Sequence, residues 1–178
     1  EWYNTGSLLA HCMSTQDPMS RKTTLQDSYT EVSEILMPND TNNLGRALGG
    51  SVLHWMDICG AISARRFSNR QVVTAAMDHV DFIAPIELGD VVTITGYVFD
   101  TGQTSMDVKV DVQAERPPAG ETEEAATSFF SFVALDASET PTTVPTLQCP
   151  TEAQKALRDV ALEQRQERRQ KLAEMSEL

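Results

Sequence analysis

The run from Ser51 to Phe67 constrains this chain more than any other part of it. Val52, Leu53, Trp55, Met56, Ile58, Cys59, Ala61, Ile62 and Ala64 fall on almost every side of a helical projection, and no proline interrupts them. A helix without a broad polar face has to be covered by the rest of its protein. After Asn69-Arg70 the period drops to two, and the cover has to come from strands.

Val72 to Ile83 reads as one strand and Leu88-Gly89-Asp90 as a turn; Val91 to Phe99 is the next strand, closed by the turn Asp100 to Gln103. Met106, Val108, Val110 and Val112 then alternate with Asp107, Lys109, Asp111 and Gln113, the pattern of a half-buried strand. Arg116 to Glu124 is a surface loop, and Ala125 to Leu135, with Phe129, Phe130, Phe132 and Val133, is the last strand. Upstream, Thr24 to Met37 carries Tyr29, Val32, Ile35 and Leu36 and is a candidate first strand. Pro38 to Gly45 is dense in turn formers. Strand, long helix, then four strands on short connections predict an α+β fold, an antiparallel sheet wrapped around one central helix.

The tail divides in two. Asp136 to Pro150 is an irregular strap rich in Thr and Pro. Thr151 to Met175 is expected to be a second helix, N-capped by Thr151, packing through Ala153, Ala156, Leu157 and Val160 and solvated from Glu163 to Lys171. The expected organisation is a poorly structured extension over 1–24, a core domain over 25–146 and a helical tail over 147–178. Residues 1–13 lack the basic start and apolar strength of a secretory signal, and Met13 or Met19 is a candidate start. No apolar run approaches the roughly 18–20 residues a bilayer requires.

Acidic residues number 26 against 14 basic ones, a formal charge of −12 over 178 residues. A field of that sign repels phosphate backbones and anionic lipid heads, so neither nucleic acid nor a membrane surface is an expected partner. Only four of the bases are lysines (Lys22, Lys109, Lys155, Lys171), a composition that suits either an ordinary acidic cytosolic protein or a halophilic one kept hydrated in concentrated salt. The tail from Thr151 carries six acids and six bases, which leaves the whole excess in residues 1–150. Cys12, Cys59 and Cys149 are odd in number and lack metal-type spacing, which argues for a reducing, cytoplasmic setting.

Three features carry chemistry. Asp57 sits in the middle of the apolar helix with no cation beside it in sequence, and a helix core seldom holds an unpaired carboxylate without cause. The plainer alternative is a thin polar stripe shared with His54 and open to water. Gly49-Gly50 opens the same helix, where unobstructed amides and the dipole favour negative charge; glycines there also serve simple tight packing. Asn42 lies in the loop before them, where asparagines commonly bond their own backbone.

Together these residues resemble a known family. Met37-Pro38-x-Asp40-x-Asn42, Gly49-Gly50 and Trp55-Met56-Asp57 are followed in order by Val72-Val73-Thr74-Ala75, Asp81-Phe82-Ile83-x-Pro85-Ile86 and Gly89-Asp90-Val91-Val92. Gly102-x-Thr104-Ser105-Met106-x-Val108 and Phe129-Phe130-Ser131-Phe132-Val133 complete the set. The whole is similar to the hot-dog-fold acyl-CoA thioesterases, in the branch of brain acyl-CoA hydrolase and the YciA-type enzymes, over about residues 28–146.

The resemblance implies a hot-dog domain that hydrolyses acyl-CoA to a carboxylic acid and CoA. Asp57 matches the catalytic carboxylate, as general base or nucleophile, and Asn42 the asparagine contributed by the partner subunit. A homodimer is then the minimal active unit, with a hexamer, a trimer of dimers, as the expected assembly. Gly49 and Gly50 match the amides that polarise the thioester carbonyl, and Thr104 and Ser105 a turn near the acyl-CoA site. Leu48, Ala84 and Gln103 stand where relatives carry other residues, some of them basic, which leaves Arg46, Arg65 and Arg66 as candidate partners of the CoA phosphates. For Arg65 and Arg66 the plainer role is to face the dipole at a helix end. No cofactor or metal is implied, since CoA is part of substrate and product. Two other functions fit the fold: a hot-dog enoyl-CoA hydratase using an Asp with His54 or His79, and a non-catalytic acyl-CoA-binding subunit. The acid excess poses a question for any CoA-ester enzyme: either basic groups cluster locally at the entrance, or salt screens the field and affinity rises with it.

Overall fold

The structure, a computed structural model, describes residues 23–117 and 120–176. In chain order its elements are β1 (Thr23–Thr24), α1 (Leu25–Ser28), β2 (Thr30–Ile35), α2 (Gly49–Ser68), β3 (Gln71–Met77), β4 (Asp81–Phe82), β5 (Val91–Thr101), β6 (Ser105–Arg116), β7 (Glu121–Leu135), β8 (Leu147–Gln148) and α3 (Glu152–Ser176). The main sheet is antiparallel in the order β2-β5-β6-β7-β3, with β4 paired to β7. It curls around α2, the expected hot-dog arrangement.

Alternation along the strands sorts the side chains to two faces. Ile94, Val98, Val108, Val110, Val112, Phe130 and Phe132 join the core against α2. Tyr97, Phe99 and Phe129 point the other way, to a smaller cluster with Leu25 and with Ala161 of α3. The helix answers with a single buried stripe, Val52, Met56, Cys59, Gly60, Ser63, Ala64 and Phe67. Close approach depends on two glycines. A Cβ on Gly60 would stand 3.0 Å from the Phe132 ring, and one on Gly96 3.0 Å from Ser63 Oγ. The helix ends where Asn69 takes up the left-handed conformation (φ 54) and its amide bonds Arg65 O at 2.8 Å.

The structure corrects several expectations. Thr24 to Met37 is not one strand: Thr24 caps the short helix α1, receiving a bond from the Asp27 amide at 3.3 Å while Asp27 bonds back to the Thr24 amide at 2.8 Å, and the strand begins at Thr30. Val72 to Ile83 is two strands. The ladder ends at Met77; beyond it the Asp78 amide still bonds Phe129 O at 2.8 Å, and Ser128 Oγ donates to the carbonyls of Asp78 and His79. β6 ends at Arg116, the first residue of the expected loop 116–124, while β7 begins inside that loop at Glu121, and the strap 136–150 contains β8, which pairs in parallel with β1. Apart from Thr23 and Thr24, the expected extension 1–24, with Cys12, lies outside the described residues.

Two corrections bear on function. One sheet covers only one side of α2. Leu53, Trp55, Asp57, Ala61 and Ile62 are half-buried and Ile58 is exposed, so the all-round apolar pattern is not satisfied within one chain. Beside them the sheet edge β3 is open, with Val73 and Met77 each 46% exposed.

The second concerns α3. Its expected packing face is turned outward, with Leu157 40% and Val160 47% exposed. The inward stripe is Gln154, Arg158, Ala161, Arg165 and Arg168. Arg165, placed in the stretch expected to be solvated, is buried. It bonds Asp78 at 2.9 Å, pairs with Asp107 and lies 5.7 Å over the Phe99 ring. Arg158 donates to Phe99 O at 3.1 Å, and Arg168 meets Asp81 at 2.7 Å and lies 5.1 Å over Phe129. Acidic side chains on the outer sheet face attract the basic stripe more than the short apolar one.

Candidate active site

Asp57 reaches neither the core nor a cation. Its Oδ1 accepts a bond of 2.7 Å from Thr74 Oγ1, on β3 at the open sheet edge. Three helix positions away His54 is exposed, while His79, in the break between β3 and β4, pairs with Asp81 at 3.3 Å, so neither histidine partners Asp57. Sequence reading passed over Thr74. Its signal was there in the Val72-Val73-Thr74-Ala75 motif, but only the fold aims that hydroxyl at the carboxylate.

At the start of α2, Asn42, Arg46, Gly49, Val52, Phe82, Ile83 and Ile86 line a cleft of about 420 Å³ with mostly apolar walls. The Asn42 carbonyl oxygen accepts from the amides of Leu44 (2.9 Å) and Arg46 (3.2 Å), as a turn asparagine does. That use fixes the side chain with its amide nitrogen as the remaining donor. Leu48 supplies no side-chain cap, and the first-turn amides of Gly49 and Gly50 have no acceptor within the helix. A Cβ on Gly50 would meet nothing within 4 Å, so packing does not require glycine there; one on Gly49 would touch only the Phe82 ring, at 3.4 Å.

Asp57 does not line this cleft. It lies eight residues from Gly49, roughly 12 Å along the helix. Within one chain, Asn42 and the helix amides form one group and Asp57 with Thr74 another.

The remaining candidates sit elsewhere. Ser105 opens β6 and Thr104 lies in the turn before it, where Thr104 O accepts the Ala134 amide at 3.0 Å. Arg65 and Arg66 lie in the last turn of α2, and Arg66 donates to Tyr29 O and Thr30 Oγ1, both at 3.1 Å. Cys59 faces the core, where burial pushes its thiol up to about 12, against a lowering pull from Arg66. It is no nucleophile at neutral pH. No described helix is long and apolar enough to cross a membrane.

A curled antiparallel sheet around one helix, with a carboxylate at mid-helix and open amides at its start, defines a hot-dog domain of the thioesterase type. Residues 44–120 match the Thioesterase superfamily. The chain is 42% identical over 134 residues to the Bacillus subtilis protein YkhA, an uncharacterized acyl-CoA thioester hydrolase, covering 75% of this chain and 78% of that one. An apo-hexameric acyl-CoA thioesterase superposes with a TM-score of 0.75 at 35% identity, over 85% of this chain and 98% of the other. The acyl-CoA hydrolase of Staphylococcus aureus, solved with butyryl-CoA, CoA and CoA disulfide, gives 0.75 at 31% identity, over 88% and 98%. The chain therefore belongs to the thioesterase superfamily, beside proteins named acyl-CoA thioester hydrolases. The Staphylococcus enzyme has also been solved with single changes of an asparagine, an aspartate and a threonine to alanine. Those three are fifteen and then seventeen residues apart, the spacing of Asn42, Asp57 and Thr74 here.

Proposed function

We propose that this protein is an acyl-CoA thioesterase that hydrolyses its substrate to a free carboxylic acid and CoA in the cytoplasm. The observation that carries the reading is the Thr74–Asp57 bond, which aims an otherwise unpaired carboxylate toward an open, apolar edge. Asp57 takes a proton from water, whose oxygen attacks the thioester carbonyl carbon. The oxyanion that forms faces the Gly49 and Gly50 amides, and the Asn42 amide nitrogen donates to the same carbonyl or to the water. As the tetrahedral intermediate collapses the carbon–sulfur bond breaks, and the CoA thiolate leaves and is protonated. Thr74 acts through Asp57 as a positioning residue.

The two half-sites of one chain call for a second copy. The uncovered side of α2 and the unpaired, partly apolar edge β3 support a homodimer in which Asn42 comes from one subunit and Asp57 from the other, with a hexamer as the larger assembly.

Asp57→Asn is expected to lower kcat on a short acyl-CoA about 10³-fold with an unchanged melting temperature. Retention of most of the rate would sink the reading. Thr74→Val should cost about tenfold through Asp57. Co-expressed Asn42→Ala and Asp57→Ala chains should regain activity that each lacks alone, since one site of a mixed dimer keeps both groups. In a single turnover in oxygen-18 water, label in the released acid fits the base role, while label retained by the protein marks direct attack by Asp57.

A further inference from the structure

The far end of α2 holds a second pocket, of about 700 Å³, lined by Arg65, Arg66 and Arg70. The other arginines of the sheet and of α3 meet carboxylates: Arg116 with Asp90, Arg158 with Asp100, Arg165 with Asp78, Arg168 with Asp81, Arg169 with Asp78. Among the described residues none of the three pocket arginines has an acidic partner within 4 Å. Arg46, in the cleft at the opposite end of α2, is the remaining described arginine without one, in a chain with 26 acids and 14 bases.

Local structure keeps it so. The Arg66 guanidinium is oriented by two neutral acceptors, Tyr29 O and Thr30 Oγ1, so it is fixed in place with its charge uncompensated. The one acid on the rim, Asp136, turns its Oδ1 to the amides of Ser138 (2.8 Å) and Thr140 (3.1 Å). The helix dipole accounts for Arg65 and Arg66 in the last turn, but its effect fades beyond that turn and leaves Arg70 unexplained. Three mutually repelling cations around one concavity are stabilised by an anion, and planar guanidinium forks match phosphate oxygens.

We infer that Arg65, Arg66 and Arg70 form the seat of the phosphate groups of the CoA ester, an assignment that rests on the thioesterase reading above. Arg65 lies eight residues beyond Asp57, roughly 12 Å along the helix, a distance that an extended pantetheine arm spans. The hairpin carrying Thr104 and Ser105 ends beside the same pocket, since Thr104 O holds the Ala134 amide and the next residue, Leu135, lines the wall. Arg46, in the cleft at the opposite end of α2, is not part of this cluster. The pocket also answers the question the acid excess raised. Attraction for a polyanion is local, inside a field that is negative overall.

The test is the double variant Arg65→Gln/Arg70→Gln, whose side chains hold no contact the fold depends on, assayed on butyryl-CoA and on butyryl-pantetheine, which lacks the nucleotide phosphates. The expected result is a KM for butyryl-CoA raised about tenfold or more, kcat within about twofold, and an unchanged KM for butyryl-pantetheine. Equal KM values for wild type and variant on butyryl-CoA overturn the assignment, as does an equal rise on both esters. Calorimetry with adenosine 3′,5′-bisphosphate and with inorganic pyrophosphate reads the site without catalysis. Binding to wild type and loss in the variant support the seat, and no binding to wild type overturns it. Loss of pyrophosphate binding with an unmoved KM for butyryl-CoA shows a site for free phosphate compounds and overturns the CoA assignment. If wild type hydrolyses neither ester, the thioesterase reading fails, and with it the CoA assignment; the calorimetry then decides whether an anion seat exists at all.

Discussion

The helices α2 and α3 lie on opposite faces of one sheet and are held there by opposite physics. α2 presents Val52, Met56, Cys59, Ala64 and Phe67 to a strand surface of valines and phenylalanines, with Gly60 letting the backbones close in. α3 presents Arg158, Arg165 and Arg168 to aspartates on the other face, with Ala161 as its one fully buried apolar residue among those described. A dry interface rewards shape and resists salt, whereas ion pairs at a half-wet one are weak singly and are screened. The chemistry follows the division. The groups placed by the dry interface carry the proposed reaction, and the charged helix serves as an external brace.

The comparison breaks most readily in the core. Phe132→Ala removes the ring against Gly60 and is expected to cost about 3–5 kcal/mol in urea denaturation. Arg165→Met should cost about 1–3 kcal/mol by the same measurement, because Asp78 keeps only the distant Arg169 and Asp107 only the Ser131 hydroxyl, while a quarter of each stays open to water. Equal losses for the two variants would contradict the division.

Salt sharpens it further. Raising KCl to about 1 M, where the screening length falls to about 3 Å, should speed amide exchange in α3 while α2 is unmoved. The last effect is confined to alkaline pH and lies on the buried face of α2. The Cys59 thiol is raised in the folded state from 9.0 to about 12, so its contribution is complete below pH 9 and is lost as pH rises toward 12. Stability of wild type should therefore decline across that window, and Cys59→Ala should flatten the decline.

Much of this was legible before folding. Apolar periodicity located α2 to within two residues and the alternation of Met106 to Gln113 located β6, because both elements bury a face whose pattern is written in hydrophobic side chains. Ordered motifs picked out Asn42, Gly49, Gly50 and Asp57. The same rules misjudged α3, whose outward apolar residues look like a packing face while its true face is arginine. Pairing with Asp78, Asp81, Asp100 and Asp107, far away in the sequence, has no local period to read. Thr74 and Arg70 escaped for the same reason, since their meaning depends on what the fold sets beside them.

By itself, then, the sequence determined the long helix, the main strands, the antiparallel class and the family, since these follow from local propensity, periodicity and ordered motifs. Only the tertiary structure decided that Asp57 meets Thr74, that one sheet leaves half of α2 uncovered, and that three arginines gather without a carboxylate at its far end. Those outcomes turn on which residues distant in the chain come together or, around the arginines, stay away, and distance in sequence carries no record of proximity in space.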